Sequence, residues 1–432
     1  MRPTPEESQH SSSKGETGPR RFPAGFEWVS DAPIKWRRVP VSAVFRRVKE
    51  TDRSELPLLS VYRDHGVVLK QSRSDNHNKE GLDSSAYQVV QPGDLVVNKM
   101  KAWQGSLAVS ELLGRVSPAY YVYRSDADIP SRFVHYQVRS QPYVSAYLAA
   151  SKGVRVGQWD LDPTTFRRFP LLLPAQEMSA RIADFLDRET ERIDGLIEKK
   201  ERLIALLEEK RAALITRAVT KGLDPNVPMK DSGVEWIGEI PEHWELRTLR
   251  TLVRMRAGKG ITSADISDDG AFPVFGGNGV RGYSDEFTHE GERILIGRQG
   301  AQCGNIHVAE GRFWASEHAV VAEPLEPMST HWLGAVLDQM NLNRYSVSAA
   351  QPGIAVDRIA GLPVPTPPLP EQTIIERVLS EEERERQALS RLLTRSSSLL
   401  RERRSALITA AVTGQIDIDE YEASQDTWQT QE

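Results

Sequence analysis

Two stretches of this chain keep their apolar residues at helical spacing for far longer than an ordinary globular helix does. From Gln176 to Thr220 there is no proline, and Gly195 is the one glycine. Ile193, Ile197, Ile204, Leu207, Leu214 and Ala218 follow one another in steps of three, four and seven, with charged residues elsewhere. That spacing predicts a heptad-like seam on one helix face. Pro174 before the run and Gly222 after it are the expected punctuation, and at 1.5 Å per residue the helix is about 65 Å long. A second run from about Glu371 to Val412 carries Leu389, Leu393, Leu400 and Leu407, with Gly414 behind it. Globular helices average about 11–12 residues, so two long seams in one chain predict an antiparallel coiled coil that holds what flanks it at opposite ends of a rod.

The segments between the long helices have the other period. Tyr87–Val90, Asp94–Val97 and Ala119–Tyr123 are short β-branched or aromatic runs cut by Pro-Gly and Ser-Pro, and Arg293–Gly297 and Ala319–Ala322 play the same part later. These predict strands, with helices around Ser131–Ala150 and Thr330–Leu342. The expected fold class is mixed α/β, of the α+β kind.

The two halves repeat. Gly25-Phe-Glu-Trp-Val-Ser-Asp-Ala-Pro-Ile-Lys-Trp36 aligns with Gly233-Val-Glu-Trp-Ile-Gly-Glu-Ile-Pro-Glu-His-Trp244, with Gly, Glu, Trp, Pro and Trp in register. Arg211-Ala-Ala-Leu-Ile-Thr216 aligns with Arg404-Ser-Ala-Leu-Ile-Thr409. A fixed-period repeat sets the plan of the whole chain. The expected organisation is a disordered tail over 1–24, a strand-rich domain over 25–173, a long helix over 174–222, a linker over 223–232, a second strand-rich domain over 233–369, a second long helix over 370–414 and an acidic tail over 415–432. The second helical segment reads as about three residues shorter than the first.

Composition narrows the chemistry. A single cysteine, Cys303, excludes an internal disulfide and a multi-cysteine zinc site, and its small-residue surroundings mark it as packing filler. No apolar run approaches the roughly 20 residues that cross a bilayer, and a cytoplasmic protein is expected. Net charge is −5, which argues against a protein that clings to nucleic acid by charge alone. The charge is split, however: residues 25–173 carry 21 Lys and Arg against 15 Asp and Glu, whereas residues 233–369 carry 11 against 17.

Three apparent catalytic motifs fail on context. Gly277-Asn-Gly-Val-Arg-Gly282 has the dinucleotide pattern but leads into Tyr283-Ser-Asp-Glu-Phe287, a turn and strand rather than a helix. Glu198-Lys-Lys200 and Glu208-Glu-Lys210 resemble part of a nuclease motif but fall on the long helix, where they read as solvated faces. No Asn-Pro-Pro-aromatic stretch exists to hold a flipped adenine, and the nine histidines show no metal spacing. What survives is polar, cationic and aromatic clusters on loops. Asn98, Lys99, Lys101, Trp103 and Gln104 follow a strand; Arg155 and Gln158 form a second loop; Gly277, Asn278, Arg298, Gln299 and His318 lie in the second half. Lysines neutralise phosphates, amides read adenine, arginine forks onto guanine and glycine admits close backbone approach.

On these residues the chain resembles the specificity subunits of Type I restriction–modification systems. Val97-Asn-Lys-Met-Lys-Ala-Trp-Gln-Gly105 with Val116-Ser-Pro-Ala-Tyr120 is similar to their target-recognition domain, and Phe272-Pro-Val-Phe-Gly-Gly-Asn-Gly279, Ile294-Leu-Ile-Gly-Arg-Gln-Gly300 and Trp314-Ala-Ser-Glu-His-Ala319 resemble a second variety of it. The likeness runs from Gly25 to Gly414, and the first helix opens Pro-Ala-Gln where the family shows Pro-Glu-Gln. The resemblance implies two target-recognition domains related by a pseudo-twofold repeat, each reading half of a split, asymmetric double-stranded DNA target. It implies two N6-adenine methyltransferase subunits and restriction subunits as partners, and no catalysis and no cofactor in this chain. S-adenosylmethionine belongs to the methyltransferase, and ATP and Mg2+ to the restriction subunit. The competing reading is a stand-alone DNA-binding or anti-restriction protein of the same architecture.

Overall fold

A computed structural model of the protein describes residues 22–23, 25–72, 85–126, 128–155, 158–300, 303–346 and 353–429. The expected disordered segment 1–24 lies outside them except for residues 22 and 23, and Phe22 already packs against the first core. The chain divides into two compact units: residues 1–198 together with 397–432, and residues 199–396. Each therefore contains one strand-rich domain, the beginning of one long helix and the end of the other.

The long helices run Gln176–Thr220 and Leu369–Thr413, 45 residues each. The expected difference in length is thus absent. The second helix starts three residues earlier than its repeat suggests, at Leu369 rather than Gln372, because Pro370 sits in the first turn, where its missing N–H has no partner to lose. In the first unit Ile182, Phe185, Leu186, Ile193 and Ile197 bury against Leu407, Ile408, Ala411 and Val412, and Arg404 pairs with Asp194 at 2.9 Å. In the second unit Arg211 pairs with Glu383 at 2.9 Å, Lys210 with Glu382 at 3.3 Å and Arg386 with Glu208. Partner numbers fall as the first helix advances, so the segments run antiparallel there. Glu208 and Lys210, read from sequence as solvated, are exposed and also reach across to the other helix. Leu389 of the expected seam is 40% exposed, and Leu203, Leu206, Leu392 and Leu399 are also open.

The tryptophans of the sequence repeat hold the helix ends. Gly222 and Gly414 follow the two helices with φ of +72° and +73°, the left-handed conformation that closes a helix C-terminus and suits glycine. In the second unit a Cβ on Gly222 would lie 3.3 Å from the Trp244 ring and 3.7 Å from Pro241; in the first, a Cβ on Gly414 would lie 2.3 Å from Pro33 and 3.3 Å from the Trp36 ring. Trp244 is fully buried and donates its indole N–H to Glu371 at 3.0 Å. The Pro and second Trp of each repeat thus form a seat for the end of one long helix.

The strand-rich domains share a sheet plan. In the first, an antiparallel sheet orders Phe45–Val48, Tyr120–Ser125, Leu95–Asn98 and Leu107–Val109; in the second, Val253–Ala257, Ala319–Pro324, Arg293–Gly297 and Ile306–Ala309 repeat that order. A two-stranded ribbon leads into each long helix, Arg37–Pro40 with Pro170–Leu173 and Glu245–Thr248 with Pro363–Thr366. The second domain adds a sheet of Gly279–Ser284, Phe272–Gly276, Arg312–Ala315 and His289–Glu290, in which Phe272–Gly276 and Arg312–Ala315 run parallel. The helix expected over Ser131–Ala150 breaks into Ser131–Arg139 and Gln141–Ala150, because Pro142 cannot continue a helical ladder through Ser140.

The acidic stretch 415–432, read as a tail, contains a helix, Ile418–Gln429. Ile418 is buried, Tyr421 meets the Phe185 ring edge-on at 5.3 Å, and Asp419 and Glu422 pair with Arg181 and Arg188 of the first long helix. Its acids complement the basic residues of that helix in the first unit.

Two expectations follow. Gly414→Ala and Gly222→Ala both force a side chain into the left-handed region, at about 1 kcal/mol, and Gly414→Ala adds overpacking against Pro33 of about 1–3 kcal/mol. Urea unfolding of the two variants should place Gly414→Ala clearly below Gly222→Ala. The second concerns His135, whose Nδ1 faces the Val109 carbonyl at 3.2 Å and whose Nε2 accepts from Arg139 at 2.5 Å. Burial, then the Arg139 charge, push its pKa from 6.5 down to about 4. Below 6.5 the unfolded chain binds a proton that the folded protein refuses, so this group subtracts stability as pH falls from 6.5 to about 4. His135→Gln should flatten the stability profile in that window.

Candidate nucleic-acid interface

In the first unit the candidate residues sit where the strand Leu95–Asn98 ends in a short 3-10 turn, Ala102–Gln104. Asn98 accepts from the Met100 amide at 3.2 Å, so its side chain shapes the loop. Lys101 and Gln104 are exposed and Trp103 is half-buried. Trp103 donates to the Met100 carbonyl at 3.0 Å and packs on Trp159, with ring centroids 4.9 Å apart. Trp159 belongs to the hairpin Ser151–Arg155 with Gln158–Leu161, whose tip pairs Arg155 with Gln158; the side chains of Arg155 and Gln158 lie outside the described residues.

Lys99 does not extend outward as a free phosphate contact. Its ammonium donates to the Pro118 carbonyl and lies 4.6 Å from the Tyr121 ring centroid, while Arg47 covers the same ring at 4.3 Å. Burial, followed by the charges of Arg47 and, more weakly, Lys49, lowers the Lys99 pKa. Asp160 acts against the two cations, so burial is the main cause of the shift. Sequence reading missed Arg47, Lys49, Tyr121 and Trp159. The signal for the first two was a cluster of cations, Arg46, Arg47 and Lys49, in and just after the strand Phe45–Val48.

In the second unit the fold gathers the candidates. The hairpin of Phe272–Gly276 with Gly279–Ser284 turns through Gly277 and Asn278, and no helix opens there, so the dinucleotide pattern has no phosphate-binding helix. Gly277, Asn278, Gln299 and His318 line one shallow depression of about 430 Å³, with Arg281 beside them. A Cβ at Gly277 would lie 3.1 Å from the Gln299 carbonyl and 3.3 Å from that of His318, so a side chain there would crowd the two neighbouring loops. Gln299 Oε1 stands 3.1 Å from His318 Nδ1, and Asn305 donates to Asn278 Oδ1 at 2.7 Å. Arg298 has its backbone fixed on both sides, donating to His318 and accepting from Ile354, each at 2.8 Å, and it is exposed. Cys303 is buried, with its carbonyl accepting from Asn343 at 2.9 Å. This depression offers amide, imidazole and guanidinium groups on a glycine-rich rim, the donors and acceptors that base edges require. Among the described residues no helix is long and apolar enough to cross a membrane.

Comparison with known proteins finds likenesses over parts of the chain and to its fold. Residues 241–392 match the Type I restriction modification DNA specificity domain, a span that contains the whole depression. The Type I restriction enzyme EcoprrI specificity subunit of Escherichia coli is 41% identical over 139 residues, 31% of this chain and 35% of that protein, so the chain spans about a third of that relative. A solved structure described as the structural basis underlying complex assembly and conformational transition of the type I R-M system shares the fold with a TM-score of 0.69 at 16% identity, over 89% of this chain and 99% of the other. The HsdS subunit from Thermoanaerobacter tengcongensis superposes with a TM-score of 0.51 at 16% identity, over 89% of this chain and 98% of that one. Over residues 241–392 the chain is thus similar to the Type I restriction modification DNA specificity domain, and over most of its length it shares the fold of an HsdS subunit.

Proposed function

We propose that this chain reads DNA for partner subunits and does no chemistry itself. Each strand-rich domain takes one half of a split, asymmetric double-stranded target, and the long helices set the gap between the halves. N6-adenine methyltransferase subunits, which bring S-adenosylmethionine, act at the adenines so selected. Restriction subunits, which bring ATP and Mg2+, join the same assembly in the cytoplasm. The observation that carries the reading is the convergence of Gly277, Asn278, Gln299 and His318 on one depression inside the span that matches the DNA specificity domain.

The exposed leucines of the helices support the partner part of the reading. Leu203, Leu206, Leu389 and Leu392 of the second unit and Leu399 of the first are 40–67% exposed, on helices that bury other apolar residues at the same spacing. Apolar side chains at helical spacing suit docking of further helices. The differences between the domains support asymmetry: the first offers cations stacked on Tyr121 and paired tryptophans, the second amides and a histidine on glycine loops.

The test is reconstitution with the partner methyltransferase, followed by DNA-binding isotherms at several salt concentrations. Lys101→Ala in the complex should weaken binding to all sequences and reduce the salt slope by about one. Gln299→Ala or His318→Ala should cost about 1–3 kcal/mol on the cognate target and little on DNA whose second half-site is scrambled. Equal losses on both DNAs would remove the base-reading role. Failure of the chain to co-purify with a stoichiometric methyltransferase would favour the stand-alone DNA-binding protein.

A further inference from the structure

His331 stands among three carboxylates contributed by separate elements of the second unit. It is the second residue of the helix Thr330–Gln339. Glu292 precedes the strand Arg293–Gly297, Glu310 lies in the turn between Ile306–Ala309 and Arg312–Ala315, and Glu376 lies on the second long helix. Glu292 Oε1 is 3.2 Å and Glu376 Oε1 3.4 Å from His331 Nδ1, and Glu310 Oε1 is 3.4 Å from Nε2. One ligand atom each from Glu292, Glu310 and His331 falls within 4.8 Å of the others, the one such group among the described residues.

Protein–protein hydrogen bonding does not account for this arrangement. A neutral imidazole has one N–H and serves one carboxylate at most. Nδ1 is closed to solvent yet has no hydrogen-bond partner of acceptable geometry among the described residues. Glu376 is held in place independently, since its other oxygen accepts from the Ser329 hydroxyl at 2.8 Å and Ser329 caps the helix by accepting from Trp332 at 2.9 Å.

We propose that Glu292, Glu310 and His331 form a binding site for a divalent cation of the zinc class, with Glu376 as the outer carboxylate that orients the histidine. The spacing suits such an ion: ligands about 2.0–2.1 Å from a tetrahedral zinc are roughly 3.3 Å from one another, close to the separation of Nε2 and Glu310. Nε2 is the ligand, because Nδ1 is shut off from solvent and faces Glu292 Oε1 at 3.2 Å and Glu376 Oε1 at 3.4 Å, carboxylates of the kind that metal-bound histidines use as outer-shell acceptors, and Glu292 keeps a second oxygen for the ion. Glu292 and Glu310 are exposed, which leaves room for water in the remaining positions. Imidazole with carboxylates favours zinc, cobalt or manganese over magnesium. The ion would tie two turns of the recognition domain to the helix Thr330–Gln339, which packs against the second long helix through Ser329 and Glu376.

The test is calorimetric titration of the full chain with Zn2+, and with Co2+ read by its visible spectrum, beside the variants His331→Gln and Glu310→Gln. The expected result is one saturable equivalent, a rise in Tm with added Zn2+, a tetrahedral Co2+ spectrum, and at least tenfold weaker binding in both variants. Glu310 is highly exposed, so Glu310→Gln keeps the test valid if His331→Gln fails to fold. No saturable binding, or binding that Glu310→Gln leaves unchanged, overturns the proposal.

Discussion

Everything else in the structure depends on how the two long helices end. A 45-residue helix cannot be fixed by its own propensity, and most of its residues face water or one other helix. What fixes it is the seat at its C-terminus: a glycine in the left-handed conformation pressed on a proline and a tryptophan, Gly414 on Pro33 and Trp36, Gly222 on Pro241 and Trp244. Each seat lies in the domain that launches the other helix. That single contact, made twice, explains why each compact unit draws on both long helices. It also explains why the sequence repeat is strongest in the Pro-x-x-Trp segment and in the Arg-x-Ala-Leu-Ile-Thr helix ends.

The domains built on this frame keep the parts that hold the helices and vary the rest. The four-stranded sheet and the ribbon leading into each helix occur in both. The loops differ, and they carry the chemistry: cations over Tyr121 and paired tryptophans in one unit, amides and a histidine around close-packed glycines in the other. This division of labour, rigid scaffold and variable loop, is how one architecture serves many targets. The second unit also carries the His331 cluster, in a place where the first has Arg132 and Tyr136 bound to Asp184 and Asp187. The same task of joining a short helix to a long one is done by different chemistry in each.

The long helices were legible because an uninterrupted apolar period over forty residues admits no other structure, and glycine and proline marked their ends. The sheet strands were legible to within a residue or two where β-branched runs met turn residues, as at Arg293–Gly297. Partnership was not legible. Asp419 and Glu422 read as members of an acidic tail because their arginines, Arg181 and Arg188, lie far away in sequence. Lys99 looked like a free phosphate contact until the fold placed the Pro118 carbonyl and the Tyr121 ring beside it. Gln299 and His318 were recognisable as polar loop residues, but their meeting over Gly277 follows from strand order, which no local pattern encodes. The His331 cluster escaped for the same reason, since its members come from four elements with no spacing rule between them.

The central claim is that this chain selects a split DNA target for a methyltransferase. The most direct measurement is a genome-wide map of N6-methyladenine in the source cell with the gene present and deleted. The account predicts that methylation disappears on deletion from one asymmetric motif, two short specified halves separated by a gap of fixed length. Unchanged methylation, with the partner methyltransferase expressed, would contradict it.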